Sequence, residues 1–148
     1  MMSTQTTYYA TEIDRLEALI EGYQGSLNWW ADQEARFDSR AEDLYAVASA
    51  IETNIGPLPA VLQPVWNLHT THTWEGNAAS QSRTRLGIHS DRLSGAVTTL
   101  RALVTDLEAE AAAAASEANH AAGQVGSYRW RLEDAREDLR NEQYSTWD

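Results

Sequence analysis

The sequence predicts an all-α protein, an antiparallel helical hairpin of two long coiled-coil helices. Three observations predict it. The 148 residues include only 3 prolines. Two long segments are rich in Ala, Leu, Glu, Arg and Gln, which favour helices. Apolar residues recur in both segments at spacings of three and four, which is typical of helices that pack along one stripe. The length suits one domain, which we take as residues 1–148.

The first helix is predicted over about residues 9–55. One apolar stripe runs along it, and Glu34 is its single polar member. We interpret Glu34 either as a device that sets the register or as a side chain that reaches solvent past small neighbours. The stripe positions are Ile13, Leu16, Ile20, Tyr23, Leu27, Trp30, Glu34, Phe37, Ala41, Leu44, Ala48, Ile51 and Ile55.

A Gly-Pro-Leu-Pro sequence at residues 56–59 interrupts this helix. The stripe continues beyond it through Leu58, Leu62 and Val65. We therefore predict a kink near 56–59, followed by a continuation of the arm over about residues 58–70.

The turn is predicted at residues 71–76, centred on Trp74. Gly76 accommodates the positive φ that a tight reversal needs, and Asn77 can cap the next helix. The second helix then covers about residues 77–142. Its stripe positions are Ser90, Leu93, Val97, Leu100, Val104, Leu107, Ala111, Ala114, Ala118, Ala121, Val125, Tyr128, Leu132, Ala135 and Leu139.

Folding the arms about Trp74 pairs stripe residues whose numbers add to 148, so Trp30 is expected to meet Ala118. The heptads determine this sum only modulo seven. Side-chain volume favours the sum of 148, because the alanine-rich run at 109–115 then lies opposite the bulky residues of the first helix. Helix propensity alone also explains the alanine run.

Composition excludes several classes of function. Asp and Glu number 22 against 11 Lys and Arg, so the net charge is −11. Such a chain would repel nucleic acid and anionic lipid. No run approaches the ~20 apolar residues of a membrane span, so we expect no membrane insertion. The first ten residues lack the basic start and apolar core of a cleavable signal peptide.

Catalytic patterns are missing from the sequence. It has no phosphate-binding glycine loop and no nucleophile elbow, and a two-helix rod offers no concave pocket. We expect no enzyme and no cofactor. His69 and His72 are one helical turn apart and can ligate a metal with Glu75 or His89, but nothing in the sequence determines a third ligand, so no metal is assigned.

Two surface features suggest partners. Trp29, Tyr45 and Trp130 lie off the stripes, which indicates a second interface, although long side chains lying on the hairpin edge are an alternative. The start of the second helix is locally basic, because Asp91 is the single acid between residues 77 and 101. That segment can meet an acidic partner or form a solvated face. Its arginines are Arg83, Arg85, Arg92 and Arg101.

A family resemblance rests on two short motifs. Trp74-Glu75-Gly76, between two long helices, resembles the Trp-x-Gly turn of the WXG family, the ESX-type substrates of type VII secretion systems. Tyr144 and Asp148 fit the Tyr-x-x-x-Asp/Glu pattern that this family uses as a C-terminal export signal. On a helix that spacing places both side chains on one face.

The resemblance implies a non-enzymatic effector, partner or adaptor that is secreted or reaches the cell surface by type VII secretion without a cleavable signal peptide. It implies recognition by the secretion ATPase. It also implies pairing into a four-helix bundle, as a homodimer or with a related hairpin, with Trp74 of one chain beside Tyr144 and Asp148 of the other. The alternative is an intracellular or phage coiled-coil scaffold in which the turn motif is coincidental.

Overall fold

The computed structural model describes residues 4–70 and 75–145, and helices account for nearly all of them. Helix α1 covers Thr4–Ile55, α2 covers Gln63–Thr70 and α3 covers Asn77–Ser145. A short 3-10 helix, Leu58–Ala60, lies between α1 and α2. No strand occurs in these residues. The predicted all-α helical hairpin is confirmed.

The break in the first arm follows from its prolines. Helix α1 ends at Ile55 because Pro57 and Pro59 have no N–H to continue the hydrogen-bond ladder. The Ala60 N–H instead donates to the Pro57 carbonyl oxygen at 3.3 Å. Leu58 packs against the buried core, so the arm remains packed through the break.

Beyond the break the inward-facing stripe differs from the predicted one. Leu62, Trp66 and His69 face inward, whereas Val65 is 39% exposed. The prediction that Val65 belongs to the inward-facing stripe was wrong. The inward residues Leu58, Leu62 and Trp66 are each four residues apart. The irregular segment has therefore turned α2 about its own axis by about one residue, or roughly 100°, relative to a continuous helix.

The packing divides into two compact units. The terminal unit comprises residues 1–40 and 114–148, of which 4–40 and 114–145 are described. The turn unit comprises residues 41–113, of which 41–70 and 75–113 are described. Each unit contains a segment of both arms, and the seam denotes the inward-facing positions between those arms.

In the terminal unit, large side chains of α1 lie against small residues of α3. Leu27, Trp30 and Phe37 are half-buried, and the Trp30 ring centroid is 5.6 Å from that of His120. Glu34 is also half-buried in this seam. The buried residues of α3 here are Ala114, Ala118, Ala121, Val125, Leu132 and Ala135.

The turn unit has its own core. Ile55 is only 1% exposed and is its most deeply buried large side chain. The buried cluster comprises Ala48, Ile55, Val97 and Val104, and it is flanked by the half-buried Ile51, Leu58, Leu93, Leu100 and Leu107. All the predicted stripe positions of residues 13–55 and 90–139 are buried or half-buried across the two units.

The register of the arms differs from the predicted one. The Tyr23 and Tyr128 rings lie 6.2 Å apart, and in the turn unit His69 Nε2 lies 3.2 Å from Ser82 Oγ. Both pairs of residue numbers add to 151. The predicted sum of 148 was therefore wrong by three residues, about 4.5 Å along a helix.

The observed register has its midpoint just before the start of α3. A sum of 151 places the midpoint between Glu75 and Gly76, and Gly76 has the positive φ of 100°. The prediction centred the turn on Trp74, which lies outside the described residues. The expectation that the sum is determined modulo seven was too narrow. A shift of one helical turn, three or four residues, also brings the stripes together, with Tyr23 opposite Tyr128 at a sum of 151 and Ala48 opposite Val104 at 152.

Gly76 and Gly95 provide a matched test of the turn. A Cβ at either position meets nothing within 4 Å, so only the backbone distinguishes them. Gly76→Ala should lower the free energy of unfolding by about 1–2 kcal/mol, because its φ is unfavourable for L side chains. Gly95→Ala, inside α3, should raise it by about 0.5–1 kcal/mol. Urea denaturation followed by circular dichroism measures both, and an equal effect of the two substitutions would contradict the assigned turn.

Candidate partner-binding surface

Each unit has two opposite faces beside its seam. Successive residues are about 100° apart around a helix, so residues just before and just after a seam position lie on opposite sides. In an antiparallel pair the residues before the seam positions of both arms share one side. We call the side formed by residues that directly precede seam positions face A. The opposite side, formed by residues that directly follow seam positions, is face B.

A groove of about 340 Å³ opens on face A of the terminal unit. Leu16, Tyr23 and Ala135 belong to the seam and form its floor, while Leu19 and Trp130 add apolar walls. Trp130 is 69% exposed. A large aromatic ring in this position offers contact area that nothing in the described chain covers.

Charged side chains of both signs line the same groove. They are Arg15, Arg131, Asp134 and Asp138, each of which directly precedes a seam residue. Glu12 holds Arg15 in place through two hydrogen bonds, from Nη2 to Oε1 at 2.6 Å and from Nε to Oε2 at 3.0 Å.

The Glu12–Arg15 pair shifts both ionisations. The hydrogen bond from Arg15 lowers the pKa of the Glu12 carboxyl, burial opposes this by raising the pKa, and the positive charge of Arg15 lowers it further. Conversely, the hydrogen bond and charge of Glu12 raise the pKa of Arg15, with a further contribution from Asp138. Arg15 therefore presents a fully charged guanidinium at the groove.

Trp29 lies on the same side of α1. It directly precedes Trp30 and follows Arg15 by 14 residues, which is two heptads, so both occupy face A. Trp29 is 55% exposed, and its ring meets that of Trp30 edge-on with centroids 4.7 Å apart. Of the three aromatic residues that the sequence predicted for a partner interface, Trp29 and Trp130 therefore lie on or beside face A of the terminal unit.

Tyr45 does not belong to that surface. It is in the turn unit and follows the seam residue Leu44, which places it on face B. Its ring is exposed. The three predicted interface aromatics thus do not form one patch.

Face A of the turn unit carries exposed aliphatic residues that the sequence analysis missed. It considered only aromatic side chains off the stripes, although Val47, Val61 and Leu103 directly precede predicted stripe positions. Val65 and Leu68 join this face only because α2 is rotated beyond the helix break. The exposed residues are Val47, Val61, Val65, Leu68 and Leu103.

The residues of the two family motifs are only partly described. Gly76 begins α3 by accepting the Ser80 N–H at 2.9 Å. Tyr144, near the end of α3, is 73% exposed. Trp74 and Asp148 lie outside the described residues, so the predicted neighbourhood of Trp74, Tyr144 and Asp148 stays a prediction.

The histidines do not converge on a metal site in the described part of the chain. His69 is buried beside Ser82, and His89 is exposed. His72 lies outside the described residues. Residues 4–70 and 75–145 contain no group of three potential metal ligands.

Comparisons with known proteins add no relative. No protein-family model matches the chain, and neither the curated proteins nor the solved structures include a match. Within the described residues, none of the helices combines the length and apolar character needed to cross a membrane.

The Glu12–Arg15 contact predicts a measurable titration. Glu12 should titrate below its ordinary value of 4.5, and Arg15→Gln should return its pKa towards 4.5. Because the folded-state pKa is lowered, the stabilisation from the pair is complete above the unfolded-state pKa and disappears as the pH falls through the folded-state value. Carboxyl NMR titration of both proteins measures this, and an unchanged pKa of Glu12 in the variant would exclude the contact.

Proposed function

We propose that this chain is a non-enzymatic, WXG-type helical hairpin that pairs with a second hairpin through face A and is exported by a type VII secretion system. The uncovered apolar surface on face A carries the pairing part of the proposal. The Trp-x-Gly and Tyr-x-x-x-Asp motifs of the sequence carry the export part.

The surface around Trp130 supports pairing for a physical reason. Tryptophan is enriched among the residues that dominate binding energy at protein interfaces, and it is costly to leave in water. Trp29, Leu19 and Trp130 supply three apolar side chains to one unit of the hairpin. Two helices alone bury little of their surface, and a partner hairpin would convert this pair into a four-helix bundle.

The charges of the groove favour a second copy as the partner. Arg15 and Arg131 line it together with Asp134 and Asp138. A two-fold interface brings the same surface of both chains together, so a surface that carries both signs can complement itself. The proposed assembly is therefore a homodimer, and a related hairpin with the same charge pattern is the alternative partner.

Export is supported by the chemistry of the end of α3. The Tyr144 ring is exposed and available to a receptor such as the type VII ATPase. Asp148 follows by four residues, one helical turn, so helical geometry through this segment would present the two side chains together. The proposed location is the cell surface or the medium, and the proposed role is that of effector, partner or adaptor.

Trp130→Ser and Tyr144→Ser test the two parts of the proposal separately. Both replace an exposed aromatic residue on α3, so neither should reduce helicity. Trp130→Ser should weaken dimerisation at least tenfold, since it removes a central apolar side chain. Tyr144→Ser should leave dimerisation unchanged and abolish export. Sedimentation equilibrium measures the first effect, and immunoblotting of medium from bacteria with a type VII system measures the second.

The outcomes separate the candidate functions. A monomeric wild-type protein, or a dimer that Trp130→Ser leaves intact, would refute pairing through face A. A dimer that is exported equally well with and without Tyr144 would refute the export signal. A dimer that remains inside such bacteria would favour the coiled-coil scaffold.

A further inference from the structure

We propose that two copies of this chain pair with their terminal units side by side and in the same direction, so that α1 of each copy lies against α3 of the other. Arg15 then lies between Asp134 and Asp138 of the partner subunit. This inference rests on the proposed pairing through face A and specifies its geometry. It differs from the arrangement that the family resemblance implies, in which Trp74 lies beside the partner's Tyr144.

Face A of the terminal unit carries opposite net charges on its two arms. On α1 it has three arginines and one glutamate, a net charge of +2. On α3 it has three acids and one arginine, a net charge of −2. This face is therefore neutral, although the net charge of the chain is −11. Its charged residues are Glu12, Arg15, Arg36 and Arg40 on α1 and Glu117, Arg131, Asp134 and Asp138 on α3.

Neighbouring charges do not change this division. Asp32 and Glu137 are exposed on the outward sides of α1 and α3, midway between seam positions. Counting them with face A changes the α1 side from +2 to +1 and the α3 side from −2 to −3, so each arm keeps its sign. Asp32 also pairs with Arg36 at 2.9 Å. The positive arm of one copy therefore complements the negative arm of another.

The division of charge selects the symmetry of the pair. Two kinds of two-fold axis can bring face A of two copies together. An axis parallel to the helices places α1 of one copy against α3 of the other, so opposite charges meet. An axis perpendicular to the helices places α1 against α1 and α3 against α3, so like charges meet. Only the parallel axis makes a second copy of this chain a complementary partner.

The observed register then determines which residues meet. Rotation about a parallel axis leaves every residue at its own height along the helices. Within the terminal unit, residues whose numbers add to 151 are level with one another. Arg15 is therefore level with position 136 of α3, midway between Asp134 and Asp138. The two carboxylates of the partner subunit thus flank the Arg15 guanidinium.

The groups that meet are available in each copy. Two N–H groups of Arg15 donate to Glu12, which holds the guanidinium in place and leaves its other N–H groups for a partner. Within the part of the chain that the structure describes, Asp134 and Asp138 form no ion pair. Carboxylates of the partner subunit can therefore form charge-assisted hydrogen bonds with Arg15.

The apolar residues of the groove fit the same arrangement. Leu19 is level with position 132, about 3 Å along the axis from Trp130, so it meets Trp130 of the partner subunit. Leu19 is half-buried and Trp130 is 69% exposed, so a second copy would bury both further. Arg131, the one cation on the α3 side, lies over the Tyr128 ring at 5.1 Å and is level with position 20, away from the partner's arginines.

The remaining charges are compatible with this pairing. Arg36 is level with position 115, close to Glu117 of the partner subunit, which adds an attractive contact. Glu12 is level with position 139, beside the partner's Asp138. Its two hydrogen bonds to Arg15 offset that repulsion.

An exchange of charges tests the arrangement. Arg15→Glu should weaken dimerisation at least tenfold, because it brings like charges together. The double variant Asp134→Arg with Asp138→Arg should do the same. An equimolar mixture of the two variants should dimerise at least tenfold more tightly than either alone, because every α1 then meets an α3 of opposite charge. Fluorescence-detected sedimentation of Arg15→Glu labelled at its N terminus, with the unlabelled double variant added, measures this.

Arg129→Glu is the matched control. Arg129 is exposed on α3 and directly follows Tyr128, so it lies on face B. The substitution changes the net charge as much as Arg15→Glu does and should leave dimerisation within about twofold of the wild-type value. Circular dichroism of each variant verifies that the helices remain intact.

Distances between spin labels test the direction of pairing without changing a charge. The natural chain has no cysteine, so Ala18→Cys, Gly25→Cys and Ser39→Cys each give one label per copy. All three positions are exposed on the outward side of α1. Side-by-side pairing predicts the same label-to-label distance at the three positions. A perpendicular axis predicts distances that change by up to about 20 Å for every seven residues, because both helices advance about 1.5 Å per residue. Pulsed electron spin resonance measures these distances.

The outcomes separate this inference from the proposed pairing. Restored dimerisation in the mixture and equal label distances would support the inference. A dimer whose label distances differ along α1, or whose two charge variants remain as weak together as apart, would overturn the inference while pairing through face A stands. A monomeric wild-type protein, or a dimer that Trp130→Ser leaves intact, would refute the pairing and this inference with it. Should a charge variant unfold, the label distances alone decide.

Discussion

The packing of bulky α1 side chains against small α3 side chains is the interaction on which the rest of the structure depends. In the observed register the half-buried Trp30 and Phe37 lie opposite the buried Ala121 and Ala114. Each arm alone would expose its stripe to water, and long isolated helices gain most of their stability from such packing. In the turn unit, the cluster around Ile55 has the same role and keeps the broken arm in place.

A seam only two helices wide determines where function can reside. It buries one stripe of each arm and leaves both flanking sides exposed, so any further apolar residue remains at the surface unless a partner covers it. The chain uses its two faces differently. Face A of each unit carries exposed apolar residues such as Trp29 and Val47, whereas a groove on face B of the turn unit combines an apolar floor with Arg101. The first arrangement suits a second hairpin.

Much of the fold could be predicted from the sequence because apolar residues spaced three and four apart lie on one side of an α-helix. The same spacing could not determine the register, since a shift of one helical turn places inward residues against inward residues again. The midpoint of the observed register falls beside Gly76, whose φ of 100° is a backbone conformation that stripe spacing does not report. The exposure of Val65 was not predictable either, because it depends on how far the prolines rotate α2. The candidate surface was predicted in part: Trp29 and Trp130 lie on or beside one face, but Tyr45 does not, and the aliphatic residues just before the seam positions were overlooked.

Engineered cysteine pairs test the seam and its register most directly, because the natural chain has no cysteine. Ala48→Cys with Val104→Cys joins two members of the buried cluster in the turn unit, and their numbers add to 152, close to the observed register. Ala48→Cys with Leu100→Cys corresponds to a sum of 148. In dilute protein, the first pair should oxidise rapidly to an intramolecular disulfide and raise the thermal midpoint, whereas the second should oxidise slowly, since a disulfide requires close Cα atoms. Preferential oxidation of the second pair would contradict the register, and disulfides formed only between molecules would contradict the hairpin itself.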